Sequence, residues 1–342
     1  RYMCSFLTSD LKEKLSEAPD AMRSQFDEMF LITTDMILQF VGILLMVASI
    51  IGNLAVLVVL LRYKSLRKNS SNMLIAQLSF AGLIFGIGLF IRDIQNAFNL
   101  AKNVEGYNRA ACMLYGATTI LAVALLQITL IMITLDRLTV LVFPLFYHRH
   151  AECVHLSIAR FLITLLASLA SFGGQFTGLA LSTDVSLCSS GATWTDGYRV
   201  YFMVFTCTSS LLTIVLNLAA VIVYCRKTKI RCQRKENSIV LLETSILLSY
   251  FVFWCVPSIV DLIGIIFKIQ AITFDSITLA LLIGSAFFVS LNPFLFLWRN
   301  IEFRTFFFRF YRLRRISRKT PIFVQVHPST TAKSTVAIQL ST

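Results

Sequence analysis

The chain has 342 residues, of which 56% are hydrophobic and only 14% are charged, and its formal net charge at pH 7 is +13. A soluble domain carries about 25% charged residues, so this composition excludes an ordinary soluble globular protein. The positive charge does not indicate a nucleic-acid partner, because the basic residues are concentrated in short stretches that flank long apolar segments.

Seven apolar segments are long enough to cross a bilayer as helices. A hydrocarbon core of ~30 Å needs ~20 apolar residues per helix. The predicted segments are 36–61, 72–91, 113–142, 158–181, 200–224, 239–267 and 277–297. The loops and tails between them leave no room for a soluble catalytic domain. The predicted fold is an all-α bundle of seven transmembrane helices that occupies residues 36–298.

The distribution of charge predicts the orientation of this bundle. The N-terminal tail, residues 1–35, has four basic and seven acidic residues, whereas the residues after the seventh segment have nine basic residues and one acid. The loops after the first and fifth segments are also basic. Since basic residues concentrate on the cytoplasmic side of membrane proteins, we expect a multi-pass plasma-membrane protein with an extracellular N-terminus and a cytoplasmic C-terminus. Membrane lipids are expected partners of the basic tail.

The first two segments contain polar and small residues that favour close helix packing. Gly52-Asn53 lies within a run of Ile, Leu and Val, and an amide in hydrocarbon needs a partner on a neighbouring helix. Asn53 is therefore expected to hold the first, second and seventh segments together. Gly82, Gly86 and Gly88 allow the second segment to approach its neighbours closely.

The third segment has its two motifs at opposite membrane surfaces. Cys112 begins it, and Asp136-Arg137-Leu138 lies 25 residues further on, a distance of ~37 Å along a helix. Pro144 is expected to end the helix soon afterwards. A charged Arg137 at the membrane edge could exchange an internal partner, Asp136, for an external one, although the same arginine could simply reach lipid phosphates.

The sixth and seventh segments each contain an internal proline. Trp254-Cys255-Val256-Pro257 and Asn292-Pro293 predict two kinks, because proline removes a backbone hydrogen bond.

Beyond Trp298, phenylalanines 303, 306, 307 and 310 follow helical spacing with arginines between them. This spacing predicts an amphipathic helix over residues 299–316 whose phenylalanines enter the membrane surface. Residues 317–342 are polar and are expected to be disordered.

The cysteines and histidines do not suggest a metal or cofactor. Their spacing matches no metal-binding motif, and no set of residues typical of a nucleophilic or metal-assisted enzyme occurs within the apolar segments. Cys4, Cys112 and Cys188 fall on the predicted outer side, where disulfides persist, and the residues alone leave their pairing open.

The motifs together resemble the rhodopsin family of G-protein-coupled receptors. The resemblance covers about residues 36–312. Its motifs occur in the order and approximate spacing of the family: Gly52-Asn53, Cys112, Asp136-Arg137-Leu138, Pro144 with Tyr147, Pro257 and Asn292-Pro293. Within that family, the overall texture of the chain resembles the nematode chemoreceptors of the SRSX class.

The resemblance implies a set of functional residues. Cys112 and Cys188 would form a disulfide, with pairing to Cys4 or free thiols as the alternatives. The expected coupling motif for a heterotrimeric G protein is Asp136, Arg137 and Leu138. The expected structural and activation residues are Asn53, Trp254, Cys255, Pro257, Asn292, Pro293 and Phe296.

Several positions depart from the family pattern. Leu138 replaces the usual tyrosine, and Phe296 replaces the tyrosine that ends the seventh-segment motif. The tryptophan before Pro257 is displaced by one position or lost. Gly82 stands where the family has an aspartate that commonly binds sodium, so no sodium site is expected.

The sequence limits the class of ligand mainly by excluding two known classes, amines and retinal. Amine receptors of the family have an aspartate where this chain has Thr119, and light receptors need a lysine that is absent between Asp275 and Trp298. Helical position suggests a pocket formed by Thr119, Val123, Ser258 and Leu262. These residues favour a small, largely apolar extracellular ligand, with a peptide as the alternative.

A transporter or channel is the competing class of function. Such proteins often have internal repeats and buried charges along a pathway. No repeat is evident in the sequence, and the centres of the apolar segments are nearly free of charge. The sequence therefore favours a receptor that is not an enzyme and that activates a G protein.

Overall fold

The computed structural model describes residues 20–101, 107–145, 147, 154–177, 184–185, 193–228, 245–246, 248–266 and 271–311. Nearly all of these residues are helical. The helices are α1 (Asp20–Arg62), α2 (Lys64–Arg67), α3 (Ser70–Ala101), α4 (Arg109–Val142), α5 (Val154–Gly174), α6 (Asp196–Thr228), α7 (Val256–Ile266), α8 (Ala271–Arg299) and α9 (Ile301–Phe310). A π-helical turn, Phe251–Cys255, directly precedes α7. Two short strands, β1 (Tyr107–Asn108) and β2 (Asp184–Val185), pair in antiparallel fashion.

Five of the described helices are long and apolar enough to cross a membrane. Their crossing stretches are Phe40–Arg62, Ser70–Phe98, Arg109–Val142, His155–Gly174 and Gly197–Arg226. Two shorter apolar helical stretches, Leu248–Val260 and Ile283–Trp298, lie in the sixth and seventh segments. The predicted all-α bundle of seven transmembrane helices is confirmed.

Helix α4 lies at the centre of the bundle and packs against α3, α5 and α6, while α1 packs against α3 and α8. The interior contains large apolar side chains that are almost fully buried, such as Phe85, Leu126 and Phe288. Apolar side chains also cover the outside, where Leu166 and Leu211 are more than 60% exposed. An apolar exterior is what a bilayer requires, because lipid and core are equally apolar.

Three helix boundaries differ from those predicted from the sequence or define them more closely. Helix α1 begins at Asp20, so residues 20–35 of the predicted tail are helical, directly after Pro19. Helix α4 ends at Val142 because Phe143, with φ −123° and ψ 65°, precedes Pro144. The fourth segment was predicted to reach residue 181, but α5 ends at Gly174, and residues 178–181 lie outside the described residues. Turn hydrogen bonds follow it at residues 175–177.

The surface helix α9 packs partly against the protein rather than entering lipid with its whole apolar face. Asn300 caps it by accepting a hydrogen bond from the Phe303 amide at 2.9 Å. Phe303 is only 2% exposed, and the rings of Phe306 and Phe310 lie 4.7 Å and 6.4 Å from the ring of Tyr63. The expectation that all four phenylalanines enter the membrane is therefore wrong for Phe303. The predicted disordered tail, 317–342, lies outside the described residues.

Candidate functional site

Asp136, in the last turns of α4, accepts hydrogen bonds from three different elements. Arg160 Nη1 of α5 donates to it at 2.7 Å, and Ser71 Oγ of α3 donates at 3.2 Å. The hydroxyl of Tyr147, beyond Pro144, donates at 3.3 Å. Arg160 Nη1 also contacts Ser70 Oγ at 3.0 Å. We call Ser70, Ser71, Asp136, Tyr147 and Arg160 the Asp136 cluster.

The Asp136 cluster neutralises a charge that is almost completely buried. Asp136 is 2% exposed, and a buried carboxylate is tolerated only when it is paired and hydrogen-bonded. Its bond to Arg160 is short and charge-assisted, which makes it stronger than a neutral hydrogen bond. An ordinary tyrosine is protonated at neutral pH, and burial raises the pKa of the Tyr147 phenol further, so its hydroxyl can donate to Asp136. The cluster therefore ties the end of α4 to α3 and α5.

Arg160 was not among the residues singled out from the sequence. The expected partner of Asp136 was Arg137, its neighbour in the chain. The structure pairs the carboxylate with an arginine 24 positions away, on another helix. The sequence contained a signal for this role of Arg160, because an ionisable residue at the end of an apolar segment is expected to have a specific partner.

Arg137 and Phe296, two of the predicted residues, line one small cavity. The cavity measures about 20 Å³ and lies between α3, α4, α8 and the start of the sixth segment, which contributes Ile246. A space of this size holds about one water molecule. Leu138 is the next residue of α4 and is partly exposed. We call the end of the bundle that carries Arg137 the Arg137 end. Among the described residues it leaves only this small space beside the arginine, which is itself partly exposed.

Asn53 connects α1 to α8, and its neighbour Ser49 connects α1 to α3. The Asn53 amide donates to Val289 O at 3.3 Å and to Ser49 O at 2.9 Å. Ser49 Oγ donates to Gly82 O at 3.3 Å. A Cβ atom at position 82 would lie 2.9 Å from both Asn53 Nδ2 and Val289 Cγ1. The space that an aspartate would need at position 82 is thus occupied by α1 and α8.

The two residues of the Asn292-Pro293 motif lie inside the bundle. Asn292 is 2% exposed, and Pro293 lies within the continuous helix α8. A Cβ atom at Gly52 would approach the Pro293 ring to 2.9 Å. The Asn53 contacts and the Pro293 contact thus bring α1 and α8 together at neighbouring positions of α1.

Trp254 packs in the core although its distance from Pro257 differs from the family pattern. It is 5% exposed, and its ring lies 6.1 Å from that of Phe85 and 6.3 Å from that of Phe288. One extra residue in an α-helix would rotate the tryptophan by about 100°. The π turn at Phe251–Cys255 accommodates an extra residue in one wider turn. The tryptophan is displaced along the chain but retains a core position, and Cys255 is also buried.

The four predicted pocket residues lie on α4 and α7. Thr119, Val123 and Ser258 are buried, and Leu262 is partly buried. The Thr119 hydroxyl has no hydrogen-bond partner among the described residues. Ser258 Oγ donates to the Trp254 carbonyl at 2.8 Å. The cavity around Arg137 contains none of the four residues.

At the opposite end of the bundle, several contacts connect the start of α4 to the loop before α6. Cys112 is disulfide-bonded, while Cys188 lies outside the described residues, so the pairing of the two remains a prediction. The β1–β2 ladder joins residues before α4 to residues of the loop after α5. Arg109 donates to the carbonyl oxygens of Thr193 and Trp194 at 3.2 Å and 3.3 Å. The segment leading into α6 is thereby held against the first turn of α4.

Comparison with known proteins identifies the family. The family model described as "Serpentine type 7TM GPCR chemoreceptor Srsx" matches residues 46–311 of this chain. This range extends from α1 to the turn after α9 and includes the Asp136 cluster, the π turn and both internal prolines. No curated protein matches the chain. The resemblance inferred from the motifs is confirmed, and the chain belongs to the Srsx family of serpentine seven-transmembrane chemoreceptors.

Proposed function

We propose that this receptor detects an extracellular chemical ligand and activates a heterotrimeric G protein at its Arg137 end. Membership of a chemoreceptor family supports the sensory role. The observation that carries the coupling proposal is the small cavity in which Arg137, Ile246 and Phe296 meet beside the Asp136 cluster. Three transmembrane segments converge there on a single arginine at the membrane edge.

Activation would open this cavity by moving the sixth segment. Ile246 lies before the π turn, and Pro257 lies after it, so the irregular backbone separates the Arg137 end of that segment from the rest of the helix. Proline kinks and π turns are places where helices bend. Outward movement of the Ile246 end would expose Arg137 to a G-protein segment. The contacts of the Asp136 cluster would restrain the Arg137 end in the resting state, so their loss would favour this movement.

The ligand would act through the residues that surround Trp254. Ser258, a predicted pocket residue, donates to the Trp254 carbonyl, and the Trp254 ring packs against Phe85 and Phe288. A small apolar ligand between Thr119 and Ser258 would therefore press on groups connected to the π turn. The predicted Cys112–Cys188 disulfide would hold the outer loop above this pocket.

The proposed orientation places the Arg137 end in the cytoplasm of a plasma-membrane protein. Its support is the charge distribution, because Lys64 and Arg67 of α2 and Arg304 and Arg309 of α9 lie at that end. Basic residues of this kind mark the cytoplasmic side. The N-terminus would then be extracellular, where the ligand arrives.

Nucleotide exchange tests the proposal without knowledge of the ligand. The receptor is reconstituted with purified heterotrimers of each Gα class, and GTPγS loading is measured. Asp136→Asn removes the charge that Arg160 neutralises, so we expect faster loading than with the wild type for at least one class. Adding Arg137→Ala to Asp136→Asn should remove that gain, whereas Arg199→Ala, at the other end of the bundle, should preserve it.

The proposal fails if folded Asp136→Asn receptor accelerates exchange on no heterotrimer. It also fails if the double variant remains as active as Asp136→Asn alone. Folding of each variant is checked by thermal unfolding in detergent. Solute uptake by vesicles that contain the receptor would instead support the transporter alternative.

A further inference from the structure

A second, larger cavity lies between α1, α3 and α5 at the Arg137 end. Its volume is about 350 Å³, within the ~300–1,000 Å³ range of ligand pockets. Its walls are mostly apolar and include Leu57, Met73, Phe80 and Phe161. Leu61 and Ile158 also line it and are 47% and 50% exposed. The cavity is therefore a groove that opens on the surface of the bundle that faces lipid.

Arg160 places a positive charge in this apolar groove. The same side chain pairs with Asp136, but only through Nη1, which also contacts Ser70. Among the described residues, Nε and Nη2 of Arg160 donate no hydrogen bond, and the side chain is 21% exposed. A guanidinium has five N–H donors and stays protonated. Within the part of the chain that the structure describes, three of these five donors are unused, and they lie on a side chain that lines the groove.

An amphiphile with an anionic head fits this combination of surfaces. The apolar walls suit an acyl chain, and the planar guanidinium suits the two oxygens of a phosphate. Three exposed basic residues nearby would attract acidic lipids to this end of the bundle. They are Lys64 and Arg67 of α2 and Lys68, which follows it. The occupant enters from the side, so a membrane lipid is favoured over a water-soluble anion.

We propose that the groove binds one acidic phospholipid from the leaflet at the Arg137 end. The lipid phosphate accepts hydrogen bonds from Arg160 Nε and Nη2, and one acyl chain lies along α1, α3 and α5. Nη1 stays with Asp136, so a single guanidinium connects the lipid to the Asp136 cluster. The proposal does not depend on G-protein coupling, and only the name of the leaflet rests on the proposed orientation.

Lipid titration of the purified, delipidated receptor tests the charge. Binding of phosphatidylserine and of phosphatidylcholine with the same acyl chains is followed by native mass spectrometry. We expect one tighter site for phosphatidylserine, and about tenfold weaker binding to that site in Arg160→Gln, since a charge-assisted hydrogen bond is lost. Arg67→Gln removes a nearby exposed charge and should change the affinity by less than about twofold.

A second pair of variants tests the groove and keeps the proposal falsifiable if Arg160→Gln does not fold. Ile158→Trp fills the groove and should weaken phosphatidylserine binding about tenfold through loss of buried apolar contact. Ile163→Trp changes another isoleucine of α5, which is 57% exposed and does not line the groove. It should bind phosphatidylserine as the wild type does.

Three results would overturn the proposal. The first is equal affinity for the two phospholipids, and the second is unchanged binding in Ile158→Trp. The third is displacement of phosphatidylserine by cholesterol at equal concentration, which would show that the groove selects a neutral sterol. Because these measurements contain no G protein, their failure would leave the coupling proposal unaffected.

Discussion

Pro257 and Pro293 each lie within a helix of this receptor and against a glycine of a neighbouring helix. Pro293 of α8 faces Gly52 of α1, where a Cβ atom would come within 2.9 Å of the proline ring. Pro257 of α7 faces Gly284 of α8, where a Cβ atom would come within 2.5 Å of the Phe253 carbonyl oxygen. The first contact involves a side-chain ring, and the second involves the backbone.

The difference follows from what each proline does to its helix. Pro293 lies within a continuous α-helix, whereas Pro257 follows the π turn. The Phe253 carbonyl is four residues before Pro257, so it is the acceptor that would have bonded an N–H that proline lacks. Gly284 accommodates this displaced carbonyl. A glycine beside a proline therefore marks close packing at one site and a rearranged backbone at the other.

Gly284→Ala should have the largest effect. The added Cβ would lie 2.5 Å from a backbone oxygen that cannot rotate away, so α7 and α8 must separate. Overpacking of this kind costs up to about 3 kcal/mol. Thermal unfolding of the purified receptor in detergent should show a clearly lower Tm. A wild-type Tm would mean that the two helices are not in close contact at this position.

Gly52→Ala should destabilise the receptor less, by about 1–2 kcal/mol. The new methyl group would meet the Pro293 ring at 2.9 Å, and a ring can shift by a few tenths of an ångström when α1 moves slightly. The same unfolding assay ranks the two variants. A larger loss in Gly52→Ala than in Gly284→Ala would reverse the proposed difference between the proline sites.

Tyr250→Phe should cost about 1 kcal/mol. Tyr250 directly precedes the π turn, is 1% exposed, and shares a hydrogen bond of 2.8 Å with Ser210 of α6. Its loss leaves a buried serine hydroxyl with one partner fewer and loosens the start of the turn. Tyr201→Phe, at a tyrosine that is 46% exposed, is the matched control. Equal Tm values for the two variants would argue against a stabilising role of Tyr250 at the turn.

Gly42→Ala should have the smallest effect and should not be destabilising. A Cβ atom at this position of α1 meets only Met46 Cε, at 3.8 Å, an ordinary van der Waals distance. Alanine is also the better helix former by about 1 kcal/mol. An unchanged or slightly higher Tm is expected. A fall as large as that of Gly52→Ala would show that any added methyl group in α1 disturbs the bundle.

Much of the fold could be predicted because a bilayer imposes simple rules on a sequence. The seven segments follow from the length of apolar runs, and the end of α4 at Val142 follows from Pro144. The link from Asn53 to a neighbouring helix was also expected, since an amide in hydrocarbon must find a partner. In each case the relevant physics acts on a few consecutive residues or on a single side chain.

The candidate site was predicted less completely because its contacts join distant parts of the chain. Arg137 and Phe296 were expected to be functional, but their shared cavity depends on how α4 and α8 pack. The pairing of Asp136 with Arg160 depends on which face α5 turns toward α4. The packing of Phe303 inside the protein depends on the position of α9 against α1.

By itself, the sequence determined the number of membrane crossings, the end of α4 before Pro144 and the side of the bundle that is basic. Hydropathy, proline geometry and charge are local properties, so no knowledge of neighbouring helices was needed. Only the tertiary structure decided that Trp254 stays in the core through a π turn and that Arg160 lies between Asp136 and the groove that faces lipid. Those outcomes depend on helix rotation and on pairing across the bundle, which a linear order of residues does not specify.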